Sequence, residues 1–151
     1  ALNIPMRPDG SIEQACEEML KNLGKWLDIN GQAIYGSRAW TTLGEGDIVD
    51  GKLKTMPGGN ITKIHADFPY TSRDIRFTIG KDGLLYIFTM NTPKAKEKLC
   101  IKCMALGKQK ISDVTLLGHN GKIEWQQTAE GLSIVCPQSL PCPYALTFCV
   151  K

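Results

Sequence analysis

The chain has 151 residues, of which 42% are hydrophobic and 22% charged, a composition typical of a folded globular protein that excludes a disordered one. Its formal net charge is +3, and its lysines and arginines are scattered singly among acids, which argues against a nucleic-acid-binding surface. No apolar run approaches the roughly 20 residues that cross a bilayer, so we expect no membrane partner.

The first predicted element is an amphipathic helix over residues 11–30. Ser11 and Gln14 have the spacing of a capping box, in which the two side chains satisfy backbone N–H groups at the start of a helix. Asn30-Gly31 is typical of the left-handed residue that ends one. Apolar residues recur at steps of three and four, which gives the helix an apolar stripe. The stripe consists of Ile12, Cys16, Met19, Leu20, Leu23 and Leu27.

Two irregular segments flank this helix. Residues 2–5 have the character of the tail of a strand, and a strand tail, a loop and an amphipathic helix make half of a βα unit. Residues 32–60 hold several glycines and Pro57 without a sustained period, which predicts a connecting stretch with one short strand. We therefore predict a division into a terminal unit, residues 1–40, and a second domain, residues 41–151.

The second domain is predicted to be an antiparallel β-sandwich, so the fold class is mainly β with one helix in front. Short strands recur at intervals of roughly 8–12 residues and are separated by glycine-containing turns, the pattern of such a sandwich. The predicted strands are Ile75–Ile79, Leu84–Met90, Leu99–Ala105, Val114–Leu117, Lys122–Gln126, Leu132–Cys136 and Tyr144–Val150.

The six cysteines do not predict a metal site. Cys100 and Cys103 form a CxxC motif, but residues three apart on a strand point to opposite faces, so the two sulfurs cannot share a metal. Cys136 and Cys142 bracket a proline-rich loop and could form a disulfide in an oxidising compartment. Cys149 is expected to be a small buried hydrophobe.

Candidate catalytic groups are sparse. His65 in a predicted strand and His119 in a turn have no candidate nucleophile beside them. The acids lie on the exposed helix face or in turns such as that at Asp82, whereas a retaining glycosidase needs two carboxylates roughly 5 Å apart. Trp125 is expected to pack in the core, which leaves no platform of exposed aromatic rings. We therefore predict no catalytic, metal-binding or cofactor-binding residue.

Several strings of residues in this chain are distinctive. They are Leu2-Asn3-Ile4-Pro5, Asp9-Gly10-Ser11-Ile12, Leu23-Gly24-Lys25-Trp26-Leu27 and Asn30-Gly31-Gln32-Ala33-Ile34-Tyr35-Gly36-Ser37-Arg38. Together they resemble the α-L-fucosidases of glycoside hydrolase family 29, and the likeness spans essentially the whole chain. Pro5, Gln32 and Ala39 depart from the glycine, glutamate and proline that are usual in the family.

The resemblance implies a fold and a parentage. Family members have a (β/α)₈ barrel followed by a β-sandwich, so residues 11–30 would be the last barrel helix. They hydrolyse α-L-fucosides with retention, using an aspartate nucleophile and a glutamate acid/base that would lie upstream of this chain. In such a barrel the active site opens at the C-terminal ends of the strands. Only residues 3–10 could approach that opening, where Arg7 would either reach the sugar or stay in a solvated loop.

The resemblance also implies a function. The chain would be a non-catalytic C-terminal portion that supports the barrel of its own polypeptide, inactive alone and without a cofactor. Fucosylated glycans would be the substrate of the whole enzyme, which would be secreted, periplasmic or lysosomal. Without the barrel, the helix stripe would be exposed and would favour self-association. The alternative is a carbohydrate-binding or partner-docking β-sandwich module.

Overall fold

The computed structural model describes residues 3–46 and 70–151. In these two ranges the chain forms one α-helix and eight strands, which confirms the predicted fold class. Each predicted strand has a counterpart whose ends differ by at most four residues. The elements are α1 Gln14–Asn30, β1 Arg38–Glu45, β2 Ile75–Ile79, β3 Leu85–Thr89, β4 Lys98–Ile101, β5 Val114–Leu116, β6 Glu124–Thr128, β7 Gly131–Val135 and β8 Thr147–Val150.

The strands form two antiparallel sheets that face each other. The larger sheet has the order β1-β2-β3-β8-β5, and the smaller sheet has the order β4-β7-β6. One core joins them: Phe77, Ile87 and Phe148 come from the larger sheet, and Leu99 and Ile134 come from the smaller sheet. Because alternate residues of each strand point into this shared core, the two sheets form a sandwich.

The central strands of the larger sheet, β3 and β8, are buried on both faces. Every residue of both strands is buried. Ile87 points into the core between the sheets, whereas its neighbours Tyr86 and Phe88 point to the outer face. There they form a second apolar cluster with Ala33 and Cys149. The larger sheet therefore needs cover on its outer face as well as on its inner face.

The helix begins three residues later than predicted, and the capping-box prediction is wrong. Ser11 donates its backbone N–H and its hydroxyl to Asp9 Oδ1 at 3.0 and 2.7 Å, and these bonds hold the pKa of Asp9 below its ordinary value. Gln14 donates its side-chain amide to Glu18 Oε1 at 2.9 Å instead of reaching back. Because Ser11 is hydrogen-bonded to Asp9, its hydroxyl does not cap the helix.

The predicted left-handed end of the helix at Asn30-Gly31 is also wrong. Gly31 has φ −58° and ψ −30°, so the chain stays right-handed and continues into a 3₁₀ turn. The first left-handed residue after the helix is Gly36, with φ +67°. The buried side chain of Asn30 donates its Nδ2 to Trp26 O at 3.0 Å, so a side chain also serves a carbonyl near the helix end.

The start of the chain and the connector differ from expectation in detail. Residues 3–5 are not in a strand, and beyond them lies an isolated antiparallel bridge between Met6 and Ile12. The short strand predicted in the connector is β1, which starts at Arg38 and pairs with β2. It therefore begins three residues before the predicted domain boundary. The later part of the connector and His65 lie outside the described residues.

The strand predicted to continue to Ala105 ends four residues earlier, so that prediction is wrong. The chain turns there into a short 3₁₀ helix. The backbone N–H of Lys102 donates to Glu45 Oε2 at 2.8 Å, and the backbone N–H of Cys103 donates to Glu45 Oε1. Because Glu45 ends β1 of the larger sheet and the turn follows β4 of the smaller sheet, this carboxylate ties the two sheets together.

We expect Glu45→Ala to lower the free energy of unfolding by about 1–3 kcal/mol, because two backbone donors lose a charged acceptor. Glu45→Gln keeps one acceptor oxygen and should lose less. Urea unfolding followed by far-UV circular dichroism measures both variants, with Glu130→Ala at an exposed turn glutamate as the control. Equal stability of Glu45→Ala and Glu130→Ala would contradict the role given to Glu45.

Candidate functional site

The C-terminal half of α1 is anchored on the outer face of the larger sheet. Trp26 donates its indole N–H to Ala145 O at 2.8 Å, and its ring centroid lies 6.4 Å from that of Phe88. Near the helix end, a Cβ added to Gly118 would lie 2.7 Å from Ile29 Cγ2, so Ile29 packs directly on the backbone of the turn after β5. These contacts fix the helix to β3, to the turn after β5 and to the segment before β8.

The turn that follows α1 completes the cover of this face. Ala33 is fully buried, and its carbonyl accepts the hydroxyl of Thr78 at 2.8 Å. Beside it, buried Tyr86 donates its hydroxyl to Asp82 Oδ2 at 2.6 Å. That bond lowers the pKa of Asp82, and burial raises the pKa of Tyr86, so the phenol stays protonated as a donor. The arrangement has the character of a structural contact.

The sandwich covers the predicted apolar stripe of α1 only in part. Asn30 is the one helix residue that is buried. Met19 and Leu23 of the stripe are 47% and 40% exposed. Trp26, which the predicted stripe omits, makes the contact with the sheet instead. The helix therefore has an apolar arc wide enough for two neighbours, and the sandwich covers one part of it.

An open groove runs along both sides of Trp26, between α1 and residues 141–145. The part toward the helix start has a volume of about 580 Å³, and the part toward the helix end has a volume of about 370 Å³. The two parts share Asn22, Trp26 and Tyr144, and we call them together the helix groove. The side chains that fill its first part are mainly apolar. They include Ala15, Met19, Leu23, Trp26 and Tyr144.

Few charges border the helix groove. Glu18 lines its first part and Lys25 its second, one charge of each sign. The groove is therefore suited to an apolar protein surface.

Among the side chains that the structure describes, no three histidines, cysteines or acids are grouped as a metal site would require. Over the same part of the chain, no helix has the length and apolar character needed to cross a membrane.

The candidate residues from the sequence do not converge in the described ranges. Arg7 Nη2 lies 3.4 Å from Glu13 Oε1, and both side chains are well exposed, so this arginine sits in a local surface ion pair. His119 lies in the turn after β5, as predicted. Trp125 packs against the core between the sheets, also as predicted. Whether residues 3–10 approach a sugar or form a solvated loop stays a prediction.

All six cysteines are free thiols in the structure. Cys100 is exposed on β4, whereas Cys103 belongs to the turn after it, so the two do not share a strand. Burial and the nearby Glu45 raise the pKa of the Cys103 thiol to about 12. Burial and Glu97 raise the pKa of the Cys136 thiol to about 11. Burial also raises the pKa of Cys149, which is buried as predicted. Because the thiolate is the reactive form, these three thiols are packing groups.

Sequence reasoning missed Trp26 and Tyr144 as residues of the groove. Trp26 follows Leu23 by three positions and Met19 by seven, so the helical period that predicts the stripe also predicts Trp26 as part of it. The alternation predicts Tyr144 in a strand, but this residue precedes β8 and is 42% exposed beside the helix. No local pattern marks that position, because its neighbour Asn22 is far away in sequence.

The fold and the groove define a class of protein: a β-sandwich module that carries a helix with an uncovered apolar face. The family described as the α-L-fucosidase C-terminal domain matches residues 69–151, which is more than half of the chain. The chain belongs to this family, and the resemblance to glycoside hydrolase family 29 is confirmed.

Individual relatives agree with this assignment. Rat tissue α-L-fucosidase is 30% identical over 141 residues, which are 93% of this chain and 24% of the rat protein. Human plasma α-L-fucosidase is 26% identical over 152 residues, 95% of this chain and 26% of that protein. The chain thus spans about a quarter of the length of these curated relatives.

Solved structures show the same fold. An α-fucosidase of Thermotoga maritima, in complex with a mechanism-based inhibitor, has a TM-score of 0.66 at 22% identity, over 99% of this chain and 29% of that one. A family 29 α-L-fucosidase of Bacteroides thetaiotaomicron, solved as a trapped covalent intermediate, has a TM-score of 0.59 at 18% identity, over 99% and 28%. The fold of this chain therefore also occurs within these longer chains.

We expect Trp26→Phe to weaken helix docking by about 0.5–1.5 kcal/mol, because it removes the bond to Ala145 O and keeps a ring beside Phe88. Trp26→Ala removes both contacts and should cost roughly half of the 3–5 kcal/mol of a fully buried aromatic. Hydrogen exchange of the α1 amides measures the docking. Trp125→Phe, on the smaller sheet, should leave that exchange unchanged. Equal exchange of α1 in Trp26→Ala and in the unaltered chain would show that Trp26 is not the anchor.

Proposed function

We propose that this chain is the non-catalytic C-terminal portion of a retaining α-L-fucosidase and that it supports the catalytic barrel of the same polypeptide. The observation that carries the proposal is the helix groove, in which Met19 and Leu23 remain exposed on a helix that is otherwise anchored. The coverage of the relatives supports it too, since about three quarters of their length lies outside this chain. In this proposal the upstream part covers the groove.

The physical argument starts from the helix itself. Most helical stability in proteins comes from packing of an apolar face, and the N-terminal half of α1 has little packing against the sandwich. Covering its exposed apolar side chains would contribute about 25 cal/mol per Å² of area removed from water. A barrel that packs there would hold the N-terminal half of the helix while the larger sheet holds the C-terminal half. The sandwich would thereby brace the barrel through a shared rigid helix.

The chemistry of the whole enzyme also belongs to the proposal. Fucosylated glycans would be its substrates, and the aspartate nucleophile and glutamate acid/base would lie upstream. Two carboxyl groups of the described part that could be mistaken for catalytic groups have structural partners. Glu45 accepts backbone N–H groups of the turn after β4, and Glu97 accepts the Ser72 hydroxyl and the Lys94 backbone N–H. These acids are therefore engaged in holding loops.

The alternative of a carbohydrate-binding module finds no specific observation in its favour. Tyr35 and Tyr144 are exposed, but they line different surface depressions, one beside Lys81 and one beside α1. Sugar-binding sandwiches need aromatic rings that stack on one ligand together.

We expect the purified 151-residue chain to show no hydrolysis of a chromogenic α-L-fucoside, because the two carboxylates of a retaining mechanism, roughly 5 Å apart, would lie upstream. Release of the chromophore is followed by absorbance, with a complete α-L-fucosidase as the positive control. Turnover that copurifies with the chain and scales with its concentration would contradict the proposal.

We also expect the isolated chain to self-associate through the helix groove. Leu23→Glu places a charge in the groove and should shift sedimentation velocity toward the monomer. Gly24→Glu is the matched control, because a Cβ at Gly24 meets nothing within 4 Å and the position is exposed. In the whole enzyme, Leu23→Glu should lower the melting temperature more than Gly24→Glu does. If the two variants melt alike in the whole enzyme, the barrel does not pack on this face.

A further inference from the structure

The chain contains two Asn-Gly dipeptides in contrasting surroundings. Asn30-Gly31 lies at the end of α1, and Asn120-Gly121 lies in the connection between β5 and β6. In this dipeptide the backbone nitrogen of glycine can attack the asparagine side chain, because glycine has no Cβ to obstruct the approach and has a freely adjustable backbone. The same two residues in two environments separate the effect of structure from that of sequence.

Asn30-Gly31 is held so that this reaction is blocked. The side chain of Asn30 is 1% exposed, and its Nδ2 donates to Trp26 O at 3.0 Å. The backbone N–H of Gly31 donates to Leu27 O. The nitrogen that would attack and the amide that would leave are therefore both tied to the helix, whose regular backbone also keeps them apart.

Asn120-Gly121 has the opposite environment. Both residues are exposed and lie outside the strands, just after Gly118, which has φ +76°. His119 packs against the second glycine so closely that a Cβ at Gly121 would lie 2.5 Å from His119 Nε2. The two residues are thus open to water, and no hydrogen bond of the Asn30 kind holds them to a helix.

We propose that Asn120 is a site of spontaneous deamidation and isoaspartate formation. The backbone nitrogen of Gly121 forms a bond to Asn120 Cγ, the bond from Cγ to Nδ2 breaks, and ammonia leaves with the proton from the Gly121 N–H. The product is a five-membered imide. Water then adds to either of its carbonyl groups and opens the ring to aspartate or to isoaspartate. The reaction consumes one water molecule, requires no oxidant or reductant, and lowers the formal net charge of +3 by one.

The test compares the two dipeptides in the same sample. The folded 151-residue chain is incubated in mildly alkaline buffer, digested, and mapped by mass spectrometry with fragmentation that separates aspartate from isoaspartate. We expect conversion at Asn120 to be at least ~10-fold faster than at Asn30, a difference in barrier of about 1.36 kcal/mol. In urea-unfolded chain the two rates should come together. Similar rates at both sites in the folded chain, or conversion of Asn120 in urea alone, would overturn the proposal.

A substitution assigns the modified residue. Asn120→Gln cannot close the five-membered ring and sits at an exposed position, so folding should be unaffected. We expect it to abolish the mass change in the peptide that spans the turn while Asn30 behaves as before. If the mass change persists in that peptide, the modification is not at Asn120 and the inference fails.

Discussion

The larger sheet is apolar on both faces, and this constraint shapes the rest of the molecule. Its central strands, β3 and β8, have every residue buried, so each face must be covered. The smaller sheet covers the inner face, and the C-terminal half of α1 with the turn around Ala33 covers the outer face. A sandwich with only one buried face per sheet could release the helix without cost, whereas this one cannot.

The helix is consequently anchored to the sandwich over its C-terminal half and open to solvent over its N-terminal half. Trp26 and Ile29 contact the sandwich, and Met19 and Leu23 line the helix groove beside Trp26 and remain exposed. Because an α-helix is rigid over this length, the anchor at Trp26 also fixes where Met19 and Leu23 lie. The division between residues 1–40 and 41–151 stays a prediction. It would pass through a unit whose two sides share a hydrophobic cluster.

Period-two alternation and glycine turns made the sandwich readable from the sequence, because each strand shows its own buried face. The ends of α1 were not readable, since Asp9 captures Ser11 and the chain stays right-handed at Gly31. The prediction that β4 continues to Ala105 is wrong for a similar reason. Glu45, which accepts the N–H of Cys103 from 58 positions away, holds the chain there in a turn.

The groove was the least predictable feature, for the same physical reason. The sequence marks an apolar arc on α1, but which part of the arc remains open depends on where the helix is anchored. The anchor joins Trp26 to Ala145, residues 119 positions apart, and no local pattern carries that information. The family resemblance predicts what periodicity could not, namely a neighbour of the helix outside this chain.

Gly118 lies where the helix meets the sandwich. Its φ of +76° disfavours any other residue, and an added Cβ would lie 2.7 Å from Ile29 Cγ2 and 3.0 Å from Pro141 Cβ. A side chain there would act as a wedge between the helix and the sheet while leaving the packing between the sheets intact. In such a variant the helix would detach from the sheet at a lower temperature than that at which the sandwich unfolds, so thermal unfolding would show two steps.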